Sequence, residues 1–239
     1  MKKIPVILVV ALGLVVAGMS EAATPKKRTR NQNRIGPYGA AFVGMTGYQG
    51  DHSADEQSLL TILNNSGYPF QNATTKTEDS DIGYQVTFGY RFHRFIAAEI
   101  GLVQYGSLKT SLNADVDVDN SGTFVPVGLH YNFHVGGPLM SAIGTLPIGE
   151  KFEFFGRVGI LFASAERQFT SKINGESGIS SSGRGDSQNV VYGAGVSWNI
   201  NQVYTVRAEY QVINGVGQGD RTGGEEDLRN ASIGLIVRF

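Results

Sequence analysis

Between Ile82 and Phe92 the chain reads IGYQVTFGYRF, and its residues sort by parity. Ile82, Tyr84, Val86, Phe88, Tyr90 and Phe92 are apolar, whereas Gly83, Gln85, Thr87, Gly89 and Arg91 interleave small, polar and charged side chains. Such strict period-two alternation predicts a strand with one apolar and one polar face. A soluble sandwich strand alternates too, but here the apolar set is aromatic and broad, and the opposite face combines glycine with charge. The length is about what a tilted strand needs to cross the hydrocarbon core of a bilayer. After a very short turn at His93-Arg94, Ile96, Ala98, Ile100 and Leu102 share one face, and Ala97, Glu99 and Gly101 the other. The pair predicts a membrane-spanning β-hairpin. It needs partners enough to close a ring, because an open sheet edge cannot sit in hydrocarbon.

The remainder of the chain supplies them. Strand patterns recur at 37–49, 139–148, 152–169, 190–200, 203–213 and 230–239, which with the opening hairpin makes eight. Connections alternate long and short: tight links at Gly149-Glu150-Lys151 and Asn201-Gln202, long polar stretches at 50–80, 108–138, 170–188 and 215–227. The expected fold is all-β, an eight-stranded antiparallel transmembrane β-barrel with short periplasmic turns and long extracellular loops. Within 50–80, Asp55 to Leu63 predicts a short helix starting near Ser53 or Asp55. Leu108 to Pro138 reads as an extended loop with its own hairpin above the membrane, a second pair of spanning strands being the alternative. Thr170 to Gln188 (TSKINGESGISSSGRGDSQ) is an open loop by composition.

The N-terminus carries Met1-Lys2-Lys3, an apolar run from Ile4 to Ala17, and a Ser-x-Ala site ending at Ala22. This is the pattern of a cleaved secretory signal over 1–22, the run being too short to span as a helix. Residues 23–35, with TPKKRTRNQNR, form a basic flexible periplasmic tail; contact with anionic lipid or cell-wall polymer is its alternative role. Residues 36–239 form the outer-membrane barrel. There is no cysteine, hence no disulfide framework, and a formal net charge of −1 offers no argument for nucleic acid. Thirty-two glycines suit a narrow barrel whose inner face has little room for side chains.

Tyr38, Tyr90, Phe92, Phe152, Phe154, Trp198, Tyr204 and Phe239 all read as sharing the apolar phase at the short-turn rim. Aromatics massed at one height predict a periplasmic girdle at the headgroup zone. A soluble lipocalin-like barrel has similar strand numbers, but its apolar residues face inward and have no reason to sort by height. The membrane reading is therefore preferred, and the expected location is the cell outer membrane.

GYRFHRFIAAEIGL, TLPIGEKFEFFGRVGIL, YGAGVSWNINQVYTVRAEYQ and the final IGLIVRF resemble the OmpA-like or opacity-type family of small outer-membrane barrels. The resemblance implies a barrel in contact with outer-membrane lipid and lipopolysaccharide, inserted by the outer-membrane assembly machinery, which reads a C-terminal aromatic such as Phe239. It covers the transmembrane domain alone, so the peptidoglycan-binding domain of full-length relatives is expected to be absent. The stretch 108–138 is longer than the family pattern.

Arg91, Glu99, Arg157, Arg207 and Glu209 share the inner phase and predict a barrel-interior ion network, the last four lying at similar heights above the short turns. An eight-stranded barrel is just wide enough for side chains to fill it, so the network reads first as a paired polar core. The resemblance adds a second role, a gate that re-pairs to admit small solutes. Catalytic signals are thin: no G-x-S-x-G elbow occurs, and His52, His93, His130 and His134 are scattered. Asp115, Asp117 and Asp119 have calcium-loop spacing, but Asn120 and Pro126 stand where that loop needs glycine and glutamate. Neither a catalytic site, a metal nor a cofactor is expected. The expected function is a monomeric structural and surface-interaction protein with at most a narrow gated conductance. The alternatives are a small-solute porin, or an adhesin or host-factor binder acting through the long loops, one of which exposes Arg184-Gly185-Asp186.

Overall fold

The computed structural model describes residues 34–49, 53–78, 80–119, 121–216 and 226–239. The expected signal segment and all but the last two residues of the basic tail lie outside the described residues, as does His52. The elements are β1 (Gly36–Gln49), α1 (Ser53–Asn65), β2 (Phe70–Glu78), β3 (Ser80–His93), β4 (Ile96–Val116), β5 (Val125–Ile148), β6 (Phe152–Ile173), β7 (Glu176–Asn199), β8 (Tyr204–Val216) and β9 (Glu226–Arg238). Every pairing is antiparallel, and eight strands form a ring in the order β4-β3-β1-β9-β8-β7-β6-β5, closed by β4 against β5. The first strand pairs with the last from Tyr38↔Arg238 to Gln49↔Asp227. No sheet edge is left at the level of the spanning hairpin, as hydrocarbon requires.

The faces are inverted relative to a soluble barrel. On β3, Phe88 is 54% exposed and Phe92 59%, while Arg91, on the other phase, is 5% exposed. Ile100, Val158, Ile160, Val190 and Ile233 also face outward, whereas Gln85, Thr87, Glu99, Glu209 and Gln211 are buried. This partition is stable only if the outer solvent is lipid.

The lumen is filled in layers. Near the short-turn rim, Tyr38, Ala40, Phe42, Ala97, Ile143, Phe155 and Ile236 pack together. Toward the other end, Tyr105, Leu108, Phe133, Val135, Leu139, Leu161, Val191, Ile213 and Leu228 belong to a second apolar cluster. A third joins Leu59 and Leu63 of α1 to Leu112, Ala114 and Val116 of β4 and to Val127 and Leu129 of β5. The helix thus covers the inward face of the sheet beyond the barrel. Between Phe42, Gln85, Tyr105 and Ser232 a cavity of about 10 Å³ remains, room for one water.

Two expected loops are folded. The stretch 108–138 is neither a separate hairpin nor a second spanning pair: it is the upper length of β4 and β5 themselves, joined by residues 117–124. There Asp117 accepts the amides of Ser121 (3.1 Å) and Gly122 (2.7 Å), so this aspartate caps a turn. Likewise 170–188 continues β6 into β7, paired from Phe152↔Trp198 to Ile173↔Glu176. Asn174 (φ +51°) and Gly175 (φ +81°) make the two-residue link, both in the left-handed region that the commonest hairpin turn demands. A strand exposed on both faces carries no apolar period, so Ser/Gly composition alone makes it look like a loop. The stretch 50–80 contains α1, which runs two residues further at each end than the expected Asp55–Leu63, and β2, a ninth strand paired only with β4. Where β2 gives way to β3, Asp81 accepts Ile82 N (2.8 Å), Ser107 N (3.3 Å) and Lys109 Nζ (3.2 Å). Partial burial pushes the Asp81 carboxyl up, but these donors outweigh it and hold it below the usual carboxylate range.

Inner rings rest on glycines. A Cβ at Gly89 would lie 2.3 Å from the Tyr38 ring, and one at Gly234 2.2 Å from the Phe42 ring. Gly89→Val should therefore overpack the lumen, costing on the order of 1–3 kcal/mol or more. The fraction reaching the compact, heat-modifiable form after refolding into detergent should fall; an unchanged midpoint in urea would contradict this packing.

Candidate functional site

The barrel strands bring inward-facing ionisable groups together at one height. Glu99 sits on β4, Arg157 on β6, and Arg207 and Glu209 on β8. Registers Gly89↔Glu99, Arg157↔Gly193, Gly195↔Glu209 and Arg207↔Gly234 show how each charge faces across to a glycine on a neighbouring strand. Glycine at these positions makes room for the groups packed around the charges: the space a Cβ would need is taken by the Tyr38 ring at Gly89, by Gln211 at Gly193 and by the Phe155 ring at Gly195.

Arg157 is the hub. Its Nη2 donates to Glu99 Oε2 at 2.7 Å and Glu209 Oε2 at 3.1 Å, its Nε to Glu209 Oε1, and its Nη1 to Ser141 Oγ at 2.6 Å. Glu99 Oε1 accepts Arg207 Nη1 at 2.7 Å and the Tyr38 hydroxyl at 2.8 Å. The Arg207 guanidinium lies 4.6 Å from the Phe155 ring centroid, a cation–π contact. Two carboxylates and two guanidinium groups balance, and charge-assisted bonds satisfy the carboxylate oxygens. One step above, Gln211 Nε2 donates to Gln85 Oε1 (3.1 Å) and the Tyr105 hydroxyl to Gln211 Oε1 (3.1 Å).

Two sequence expectations need correction. Arg91 has the inner phase but stands one inward position below Glu99 on the β3–β4 ladder, where it pairs with Glu153 Oε2 at 3.0 Å. Glu153 also accepts Arg34 Nη1 at 2.8 Å, and Arg34 Nη2 donates to the Glu150 carbonyl at 2.9 Å. Arg91 therefore belongs to a second cluster at the short-turn mouth, where Arg34 reaches from beside β1 to β6. Tyr38 does not join the outer girdle: it is 3% exposed and points into the lumen, because its β3 partner is the inward Gly89. The opposite parity of β1, with Val43 and Met45 exposed, was the available signal. Glu153, Ser141 and Tyr38 were missed as members; Glu153 shares its parity with Arg157 and was legible.

The remaining girdle residues face outward. Tyr90, Phe92, Phe152, Phe154, Trp198 and Phe239 are exposed and Tyr204 is half-buried. The rings of Tyr90 and Phe92 touch at 5.0 Å, and the Arg94 guanidinium lies 4.4 Å from the Phe95 centroid in the adjoining turn. Further up the outer surface, on the same apolar phase, Phe162, Tyr192 and Tyr210 add exposed aromatics. Among the described residues, no group of three or more His, Asp or Glu side chains could hold a metal ion. Arg184 and Asp186 lie on β7, exposed and 3.5 Å apart.

The sequence model of the family described as OmpA-like transmembrane domain matches residues 20–239. Outer membrane protein A of Yersinia pseudotuberculosis is 27% identical over 241 aligned residues, covering 100% of this chain and 56% of the relative. Outer membrane protein A of Klebsiella pneumoniae is 25% identical, covering 72% of this chain and 45% of the relative. The chain thus spans about half the length of the curated relatives it matches. Solved structures with a similar trace include the outer membrane protein OprG of Pseudomonas aeruginosa (TM-score 0.43, 13% identity, 87% of this chain and 98% of that one). Neisserial surface protein A (NspA) is another (TM-score 0.42, 12% identity, 85% and 97%).

Removing one member of the hub leaves a buried charge without its partner, at a cost of about 3–5 kcal/mol. Arg157→Leu should lower the denaturation midpoint of the folded barrel sharply. The combined Arg157→Leu, Glu209→Gln change, which leaves the Glu99–Arg207 pair intact, should recover part of that loss. Equal stability of Arg157→Leu and the parent would show that the hub carries no net charge coupling.

Proposed function

The chain belongs to the family of OmpA-like transmembrane domains, and on that premise we propose that it is a structural and surface-presenting protein of the outer membrane with a closed lumen. Its outer-membrane location and barrel architecture follow from the family and fold. The absence of solute flow is the further step, and one observation carries it: polar and apolar layers fill the lumen in series. A solute passing the Arg157 hub would next meet the dry cluster of Leu139, Leu161, Val191 and Ile213, which re-pairing of charges does not open. Hydrated ions shed their water at such an apolar constriction only at high cost.

The surface role rests on strand length. The strands β4 to β7 have 21 to 24 residues, about twice the 9–11 that a bilayer needs. Their upper halves form a paired sheet outside the membrane, shaped and held by α1 and the Asp81–Lys109 pair, and present polar faces to the medium. Contacts with lipopolysaccharide, or with ligands from outside, belong to that sheet; insertion by the assembly machinery, read through Phe239, belongs to the barrel.

Planar-bilayer recording tests the closed lumen. The purified chain should give no regular single-channel steps, and Arg157→Ala should not create them. Ser or Gly substitutions at Leu139, Leu161 and Val191 together should be needed before conductance appears. Steps in the parent protein that vanish on changing Glu99 or Arg157 would support the porin alternative instead.

A further inference from the structure

On the outward face of the sheet beyond the membrane, β2, β4, β5 and β6 surround a depression that neither the lumen nor the girdle uses. Its floor is Gly128 on β5, paired with Asn113 of β4 on one side and Lys172 of β6 on the other. A Cβ on that glycine would lie 3.3 Å from both Asn113 Oδ1 and His130 Nε2. These two polar atoms therefore flank an opening that any larger residue would fill. Asp115 and Asn72 complete the wall, and the open volume is about 230 Å³.

Asn72 marks the place independently. It holds φ +54°, a left-handed conformation, where the β2–β4 register shifts between Gln71 and Thr74. Bulges of this kind re-aim a side chain, and non-glycine residues held there cluster at functional positions. Here the amide Nδ2 of Asn72 donates to Asp115 Oδ2 at 2.8 Å, fixing the carboxylate on the rim.

The chemistry of the wall selects its ligand. Two side-chain amides, one carboxylate, one imidazole and one ammonium offer donors and acceptors close together. A simple anion is opposed by Asp115 and a bare cation by Lys172, while Pro126 and Val127 add apolar surface of the kind a sugar ring's C–H face can cover. Hydroxyl groups both donate and accept, so a ring bearing several of them satisfies this mixed set. The volume is below the range of drug-sized sites, which limits the occupant to about one ring. Asn113 stands eleven positions beyond the lipid-facing Leu102, which at about 3.4 Å per residue and a ~40° tilt is roughly 25–30 Å above it. That height is in the sugar zone of a glycolipid leaflet.

We propose that the depression floored by Gly128 and walled by Asn72, Asn113, Asp115, His130 and Lys172 binds one sugar ring of a hydroxyl-rich glycan. This rests on the surface-protein reading above. The sugar can come from the outer-leaflet glycolipid of the same membrane or from a glycan on another surface, and the test separates the two.

The full chain is folded into glycolipid-free nanodiscs, with its heat-modifiable mobility as the control for folding and insertion. Labelled core oligosaccharide released from lipopolysaccharide forms one arm, and an array of neutral hexose and N-acetylhexosamine oligomers the other. At least one arm should bind below about 1 mM. Gly128→Val, which fills the floor, should weaken binding about tenfold or more. Asn113→Ala and Lys172→Ala, which disturb no packing, should weaken it at least threefold. Binding in the first arm alone names the glycolipid as source, and binding in the second a foreign glycan; either supports the site. No binding by the folded parent, or equal binding by all three variants, overturns it while leaving the surface-protein reading intact. A chain that fails to fold and insert would overturn that reading and this one together.

Discussion

The pairing of β1 with β9 is the constraint on which the rest of the molecule depends. Tyr38 meets Arg238 across 200 positions of chain, and until that ladder forms both strands expose a row of unmet backbone groups. In hydrocarbon each such group costs several kcal/mol, with no water to relieve it. Once the ring is closed, its outer wall must be apolar and its inner wall inherits the opposite parity of the same strands. The polar lumen is thus a consequence of lipid outside and period two within, before any question of function arises.

A ring of eight strands is narrow, and narrowness sets the chemistry inside. The rings packed around the charges fit only where a strand offers glycine, as Gly89 does for Tyr38 and Gly195 for Phe155. Bringing Glu99, Glu209, Arg157 and Arg207 to one level costs desolvation, and their mutual attraction offsets that cost only while every member is present. The cluster is therefore weak evidence of net stabilisation and better understood as fixing register. A one-residue slip of β6 would turn Arg157 into lipid and leave Glu99 and Glu209 without their shared partner. The apolar layer above it has no such specificity, yet it is what separates a filled barrel from a pore.

How much of this was legible follows from the solvent each residue meets. Strands in lipid announce themselves, because one face must be apolar: the hairpin 82–102, the ladder 152–162 and the final strand can all be read by parity. The inner charges could be read as members of one phase, and the structure brings Glu99, Arg157, Arg207 and Glu209 into direct contact. Height was harder. Arg91 and Glu99 differ by one inward position, which alternation does not resolve, so the separate Arg34–Glu153–Arg91 mouth stayed hidden. Tyr38 misled because an aromatic near the rim looks like an anchor, when a glycine across the ladder had made room for it indoors. Beyond the membrane parity loses its meaning: 172–184 is exposed on both faces, and composition points to loop where the backbone continues its ladder.

That last failure bears on what the extra strand length is for. Continuing β6 and β7 by ten residues each adds a stiff ladder with few apolar anchors, Ala165 and Phe169 on β6, so burial contributes little to hold its far end. Backbone pairing, each bond worth about 0.5–1.5 kcal/mol net, must offset nearly all of the ordering entropy of those residues. A flexible loop could join the same two barrel strands at small entropic cost. The β4–β5 side gains the fuller core, where Leu59 and Leu63 of α1 cover Leu112 and Val116 on the inward face. The outward face of that same sheet, braced from behind by α1, then combines a fixed backbone with the depression at Gly128. A ligand that needs several hydrogen bonds at once gains most from such a support, because the groups it meets are already held in place.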